Sequence, residues 1–128
     1  MSQAVAHVAP GQHQTFHPKP GIVLHLLHGG PVYQAFLLQV APATRYHSAP
    51  HEGEELRYVV SGEVIFEVGG KDYPAAAGAT LSHPSSVTHG FRTEGRPATF
   101  VTFALSHGYD VATLFRGAGA GETGANGR

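Results

Sequence analysis

Hydrophobic residues in the middle of the chain occur in short runs or alternate with polar residues, and segments rich in Gly and Pro separate the runs. The runs are enriched in Val, Phe, Tyr and Thr, which suit a pleated, half-buried surface. The pattern predicts seven β-strands: Ile22–His28, Val32–Val40, Glu55–Val60, Glu63–Val68, Ala79–His83, Val87–Thr93 and Ala98–Leu105.

The segments between these runs contain residues that favour hairpins and tight loops. They are Gly29-Gly30-Pro31, Ser61-Gly62, Gly69-Gly70 and Gly95-Arg96-Pro97. Seven short strands with such regular turns are typical of an all-β barrel or sandwich. No helix-length pattern alternates with the strands, which argues against a parallel βαβ sheet.

The two ends of the chain differ in composition from this central block of predicted strands. Residues 1–20 are polar and rich in Pro and His, which predicts an arm that is irregular or adds an edge strand. Residues 21–109 are predicted to form the barrel. Residues 110–116 are predicted to make one helical turn, and residues 117–128 hold five glycines in twelve positions, which predicts a flexible tail.

Composition narrows the possible functions. The chain has 128 residues, the size of one domain, and no cysteine, which excludes disulfides, thiolate metal sites and cysteine nucleophiles. Eight basic against nine acidic residues argue against a nucleic-acid partner. No apolar run approaches the roughly 18 residues of a membrane span, and the start of the chain does not resemble a secretion signal. We therefore expect a cytoplasmic domain.

The chain is unusually rich in histidine: its ten histidines outnumber the eight lysines and arginines together. In a strand every second side chain shares a face, so His51, Glu55 and Arg57 are predicted to point the same way, and His47 has compatible parity. His89 lies on a later predicted strand. Two imidazoles and one carboxylate brought together by antiparallel strands are typical of a facial metal site with open coordination positions.

The spacing of these residues resembles the two motifs of the cupin superfamily, the RmlC-like jelly-roll barrels. Glu55 follows His51 with Gly62 beyond it, and Gly78, Pro84 and His89 follow at the spacing of the second motif. The resemblance covers about residues 32–105. It implies an all-β double-stranded β-helix, or jelly roll, and a divalent metal ion (Fe, Mn, Ni, Cu or Zn) bound by His51, Glu55 and His89.

The chain departs from the family pattern at three positions. Ala49 stands where the first motif has its first histidine, and Ser86 and Thr93 replace a glycine and an asparagine of the second. His47 has the parity to replace the missing imidazole, although Pro50 interrupts the alternation. The metal set is therefore either two His and one Glu or three His and one Glu, and the alternative is a barrel that has lost its metal.

Arg57 and several apolar residues are predicted to complete the pocket. Arg57 either binds the anionic group of a substrate or forms a structural salt bridge with Glu67 or Glu63. The predicted apolar lining is Phe36, Leu38, Phe91 and Phe103, with Tyr46 near the rim. For Phe103, a place in the barrel core is the favoured alternative.

Two functions fit the resemblance. The first is a small metalloenzyme acting on a small, anionic organic substrate by dioxygenation or by isomerase or lyase chemistry. The second is a non-catalytic sensor that binds a small effector, similar to the cupin half of bacterial regulators. Leu56, Tyr58 and Val60 form an apolar stripe opposite the metal face, and we expect a homodimer to cover it.

Overall fold

The computed structural model describes residues 5–105, and every regular element in that range is a β-strand. The strands are β1 (Gln14–Phe16), β2 (Ile22–Gly29), β3 (Tyr33–Val40), β4 (Arg45–Ser48), β5 (Glu54–Val68), β6 (Lys71–Ala76), β7 (Thr80–Pro84), β8 (His89–Arg92) and β9 (Ala98–Leu105). The helical turn and tail predicted for residues 110–128 lie outside the described residues. No membrane-spanning helix is found within residues 5–105.

The strands form a curled antiparallel sheet in which β5 belongs to two layers. One layer has the order β1-β2-β3-β9-β5-β7, and the other contains β4, β8, β5 and β6. Residues 54–62 of β5 pair with β9, and residues 63–68 pair with β6. The all-β fold class predicted from the sequence is confirmed.

The predicted hairpin turn at Ser61-Gly62 is wrong, because β5 runs through it without a break. The register of β5 against β9 shifts between Val59 and Ser61, and Gly62 has a φ of 79°. A Cβ atom at Gly62 would lie 2.0 Å from the carbonyl oxygen of Pro97. The glycine therefore allows a bulge and a close backbone approach where the strand passes between layers.

The short strands at the sheet margins are the elements that the sequence pattern predicts least well. β1 confirms the edge-strand alternative for the N-terminal arm. β4 and β6 were not predicted. Their side chains are mostly exposed or half-buried, and β6 contains Pro74, so neither segment shows a clear alternation of hydrophobic and polar residues.

Inward-facing side chains from both layers form the hydrophobic core. Phe100 lies at its centre, with edge-on ring contacts to Phe66 and Phe91 at centroid distances of 5.2 and 5.1 Å. The outward-facing positions of β5 and β9 carry Leu56, Tyr58, Val60, Phe103 and Leu105, each 42% to 47% exposed. Phe103 lies opposite Leu56 in the register and shares its outer face, so its expected place in the pocket or the core is wrong.

Candidate metal centre

Three side chains from separate segments meet between the two layers. Glu55 lies near the start of β5, His89 begins β8, and His51 lies in the loop before β5. Glu55 Oε2 lies 3.0 Å from His51 Nε2 and 3.2 Å from His89 Nε2, and one donor atom from each residue lies within 4.8 Å of the other two. All three side chains are at least 94% buried. The structure thus brings together the three residues that the motif spacing predicts as ligands.

Backbone hydrogen bonds hold the His51 loop against the β7–β8 connection. The His51 amide donates to the Ser85 carbonyl at 3.1 Å, and the Ser85 amide donates to the Gly53 carbonyl at 2.8 Å. Gly53 has a φ of 112°, which lets the chain turn into β5 immediately after His51. This double contact places the His51 imidazole beside a residue that follows 38 positions later, His89.

Both imidazoles are oriented by a local backbone carbonyl. His51 Nδ1 lies 3.1 Å from the carbonyl oxygen of Glu52, and His89 Nδ1 lies 2.7 Å from that of Val87. Since a carbonyl can only accept, Nδ1 carries a proton in each ring and Nε2 is the atom directed at Glu55. Imidazoles that bind metals are commonly held in this way by a partner at the other ring nitrogen.

The carboxyl group of Glu55 is held in its ionised form. Burial by itself raises the pKa of Glu55, but the hydrogen bond from His51, the adjacent His89 imidazole and the positive charge of Arg57 outweigh it and lower the pKa far below its usual range. The same hydrogen bond to Glu55 raises the pKa of His51 above 6.5. In the metal-free protein, a proton on His51 thus partly occupies the position where a cation would neutralise Glu55.

The donor set fits a divalent metal ion. Two ligand atoms bound to one ion at about 2.1 Å and at right angles are about 3.0 Å apart, and the two Glu55–histidine distances are close to that value. His89 Nε2 is buried and has no hydrogen-bond partner within residues 5–105. Two imidazoles and one carboxylate leave further coordination positions open.

A narrow pocket opens beside this set, with about 40 Å³ of room for the centres of water-sized molecules. Phe36, Leu38, Phe91 and Ala104 form its apolar wall, and Tyr46 packs on Phe91 with a centroid distance of 5.6 Å. Burial raises the pKa of Tyr46. His51, Glu55 and Arg57 also line the pocket. The predicted pocket residues Phe36, Phe91 and Tyr46 therefore lie beside the candidate ligands.

Arg57 forms a salt bridge with Glu55, rather than with the two glutamates considered from the sequence. Arg57 Nη2 donates to Glu55 Oε1 at 2.7 Å, and the guanidinium lies 5.3 Å from the ring centroid of Phe66. Burial lowers the pKa of Arg57, and the charge of Glu55 opposes this shift. Glu67 is occupied near the surface by Arg45 and Arg92, and Glu63 is exposed, so neither is the partner of Arg57.

His47 is not brought into the cluster. It lies exposed on β4 opposite Gly90, while its neighbours Tyr46 and Ser48 line the pocket. The strand ends at Ser48, and residues 49–53 do not continue its alternation, so the parity of His47 does not carry over to His51. Ala49 lines the pocket at the position where the resemblance leads one to expect a histidine.

His83 was not singled out from the sequence, yet it lies next to the cluster. It is 8% exposed and lies opposite Glu55 in the register of β5 and β7. Its ring centroid is 4.9 Å from that of His89, and its Nδ1 is 2.8 Å from the carbonyl oxygen of Pro84. The alternation of β7, with Leu81 half-buried two positions earlier, is the signal that places His83 inside.

Comparison with known proteins gives a family match and structural neighbours. The family model described as Cupin domain matches residues 36–104. No curated protein sequence matches the chain. The Cupin_2 domain of an XRE family transcriptional regulator from Enterobacter cloacae is 22% identical with a TM-score of 0.64, and the match covers 66% of this chain and 96% of that domain.

Two further structural neighbours are larger proteins. Hydroxypropylphosphonic acid epoxidase from S. wedmorenis is 18% identical with a TM-score of 0.71, and the match covers 79% of this chain and 59% of the epoxidase. FeII HppE is 17% identical with a TM-score of 0.73, and the match covers 82% of this chain and 62% of that chain. At these identities the likeness concerns the fold, and it confirms the predicted jelly roll.

Proposed function

Since the chain belongs to the Cupin domain family, we propose that it is a small metal-binding enzyme whose substrate is a small organic anion. The observation that carries this proposal is the convergence of Glu55 Oε2 with the Nε2 atoms of His51 and His89 next to an apolar pocket. A divalent ion bound there would supply Lewis-acid or redox chemistry. The neighbours include an epoxidase and an Fe(II) form of HppE, which supports the metalloenzyme interpretation.

The charges in the interior support an anionic substrate. Arg57 neutralises Glu55 through their salt bridge, so a bound divalent cation adds two positive charges that no other described pocket residue balances. A negatively charged group on the substrate would compensate this charge where water is excluded. Phe36, Phe91 and Leu38 would contact the apolar part of the same molecule.

The reaction class depends on the ion. A redox-active metal (iron, manganese, nickel or copper) favours dioxygenation, whereas zinc favours isomerase or lyase chemistry. Neither route requires a further protein residue to bind the metal, because the two imidazoles and the carboxylate already form the set typical of such sites.

A non-catalytic sensor is the second candidate function. The match to the Cupin_2 domain of a transcriptional regulator favours it, because 96% of that domain is covered. In this role the same pocket would bind an effector without turnover. For either role we propose a homodimer joined through the exposed apolar face of β5 and β9, and a cytoplasmic location remains a prediction from the sequence.

Metal analysis of purified protein tests the proposed site. We expect wild-type protein to bind one divalent ion, and His51→Ala and His89→Ala to lose most of it. His25→Ala is the matched control, since His25 lies on β2 and bonds to Gln39 far from the cluster along the sheet. Unchanged metal content in both ligand variants would overturn the proposed site.

Oxygen uptake then separates the two functions. Protein loaded with Fe(II) is mixed with a panel of small carboxylic acids and diketones, and oxygen consumption and product formation are followed. Turnover that depends on His89 supports the enzyme. Tight binding of a panel member without turnover under any of the metals supports the sensor.

A further inference from the structure

Two of the buried polar atoms that lack a hydrogen-bond partner within residues 5–105 are complementary. Arg57 Nε–H is a donor, and His83 Nε2 is the other atom of the pair. Because His83 Nδ1 donates its proton to the Pro84 carbonyl, Nε2 of the neutral ring holds a lone pair and can accept. A buried donor or acceptor left without a partner destabilises the fold, so both atoms are expected to be paired.

The two side chains are inward-facing neighbours on adjacent strands. In the register of β5 and β7, His83 lies opposite Glu55, and Arg57 lies two residues further along β5. Such diagonal neighbours are within reach of each other when one of them has a long side chain. Both side chains are buried, so each unpaired atom is shielded from bulk water.

We propose that His83 is a positioning residue linked to Arg57 by one water, which accepts from Arg57 Nε–H and donates to His83 Nε2. This proposal rests on the proposed metal site, because its consequence is the orientation of Glu55. The donor atoms that lie within 4.8 Å of one another belong to His51, Glu55 and His89, and His83 is not among them. His83 therefore acts on the centre through Arg57.

The consequence is a chain of contacts that ends at the metal ligand. Anchored at Nε, the guanidinium can keep Nη2 on Glu55 Oε1, which leaves Oε2 directed at both imidazoles. Without the anchor, the guanidinium and the carboxylate would rotate together. Loss of such an outer partner of a metal ligand typically weakens metal affinity about 10-fold to 100-fold.

The first experiment needs no metal. In ¹⁵N-labelled protein, the Arg57 Nε–H resonance is identified by its loss in Arg57→Lys. We expect slow exchange with solvent in the wild type and in His83→Gln, whose amide oxygen can accept, and fast exchange in His83→Leu. His83→Met replaces His83→Leu if circular dichroism shows that the latter is not folded. The same slow exchange in the variant without an acceptor would overturn the proposal.

The second experiment measures Co(II) affinity by competition with a chelator. We expect His83→Leu to bind about 10-fold more weakly with an altered visible spectrum, and His83→Gln and the control His25→Leu to resemble the wild type. Pulsed EPR of the Cu(II) protein should count two imidazoles. A third imidazole that disappears in His83→Leu would make His83 a ligand and overturn the positioning role. Failure of wild-type protein to bind any metal would overturn the proposed function and leave the NMR result standing.

Discussion

Arg57 and Glu55 form a buried ion pair in which Arg57 Nη2 donates to Glu55 Oε1 at 2.7 Å, and both side chains are at least 95% buried. The two oxygens of the carboxylate therefore have different partners: Oε1 faces the guanidinium, and Oε2 faces His51 and His89. One residue thus connects the structural charge pair with the candidate metal set. Substitution at Glu55 is expected to affect both stability and metal binding.

Glu55→Gln should abolish metal retention and destabilise the protein by about 3–5 kcal/mol, because Arg57 loses its buried counter-charge. Urea unfolding and metal analysis measure the two effects separately. The double variant Glu55→Gln/Arg57→Met removes the unpaired charge, so it should recover most of the stability without recovering metal. Metal binding by the double variant would show that Glu55 is not a ligand.

Ala49→His is expected to tighten metal binding, because Ala49 lines the pocket beside His51 and a histidine there adds a third imidazole. Cu(II) pulsed EPR should count one more imidazole than in the wild type, and the metal should survive a stronger chelator. His47→Ala is the matched control, because His47 lies exposed on β4 outside the cluster. If Ala49→His gains nothing, a side chain at position 49 does not reach the metal.

The sequence pattern predicted the strands that bury one face, because their alternation follows directly from which side chains enter the core. It also placed His51, Glu55 and His89 correctly relative to one another, since a motif spacing reports how segments return to the same point. It could not distinguish a hairpin turn from a bulge at Ser61-Gly62, because both use a glycine with positive φ.

The face of the strand on which a side chain lies was easier to predict than the residues that it contacts. Arg57 points inward, as its parity predicts. Its salt-bridge partner is Glu55, which the sequence pattern predicts only as a metal ligand. The alternation of β7 places His83 inside, but its neighbours depend on the pairing of β7 with β5, which no local pattern specifies. Exposed strands such as β4 carry too little hydrophobic periodicity to be recognised.

Metal binding near neutral pH should release a proton from His51. The hydrogen bond to Glu55 raises the pKa of His51 above 6.5 in the metal-free protein, and a metal ligand must be neutral. Metal affinity should therefore fall as pH decreases through this raised pKa, and calorimetry in buffers of different ionisation enthalpy should detect the released proton.

The stability of the metal-free protein should change with pH in the same window but with the opposite sign. The raised pKa of His51 contributes stability that is fully present below pH 6.5 and is lost as pH rises through the folded-state value. Thermal unfolding between pH 6.5 and 9 measures it, with His51→Gln as the control that lacks this contribution. Equal slopes for the two proteins would contradict the assigned shift.

Gly62→Ala should destabilise the fold strongly, because Gly62 has a φ of 79° and an added Cβ would lie 2.0 Å from the Pro97 carbonyl oxygen. Gly70→Ala is the matched control: its φ is 83°, but an added Cβ meets nothing within 4 Å. The control should cost about 1–2 kcal/mol from backbone strain alone, and Gly62→Ala should cost clearly more in urea unfolding. Similar costs would mean that the close approach of Pro97 relaxes easily.

The outer face of β5 and β9 should form the contact between two copies of the chain. Leu56, Tyr58, Val60, Phe103 and Leu105 each expose 42% to 47% of their surface there. A second copy carries the same face, so a two-fold axis would pair apolar with apolar surface.

Light scattering after size exclusion should give a dimer, and Tyr58→Lys/Phe103→Lys should give a folded monomer. Tyr73→Lys is the control, because Tyr73 is 40% exposed on β6, outside the β5–β9 contact. Since Tyr58 and Phe103 point away from Glu55, metal content should stay unchanged, and a wild-type monomer would contradict the proposed interface.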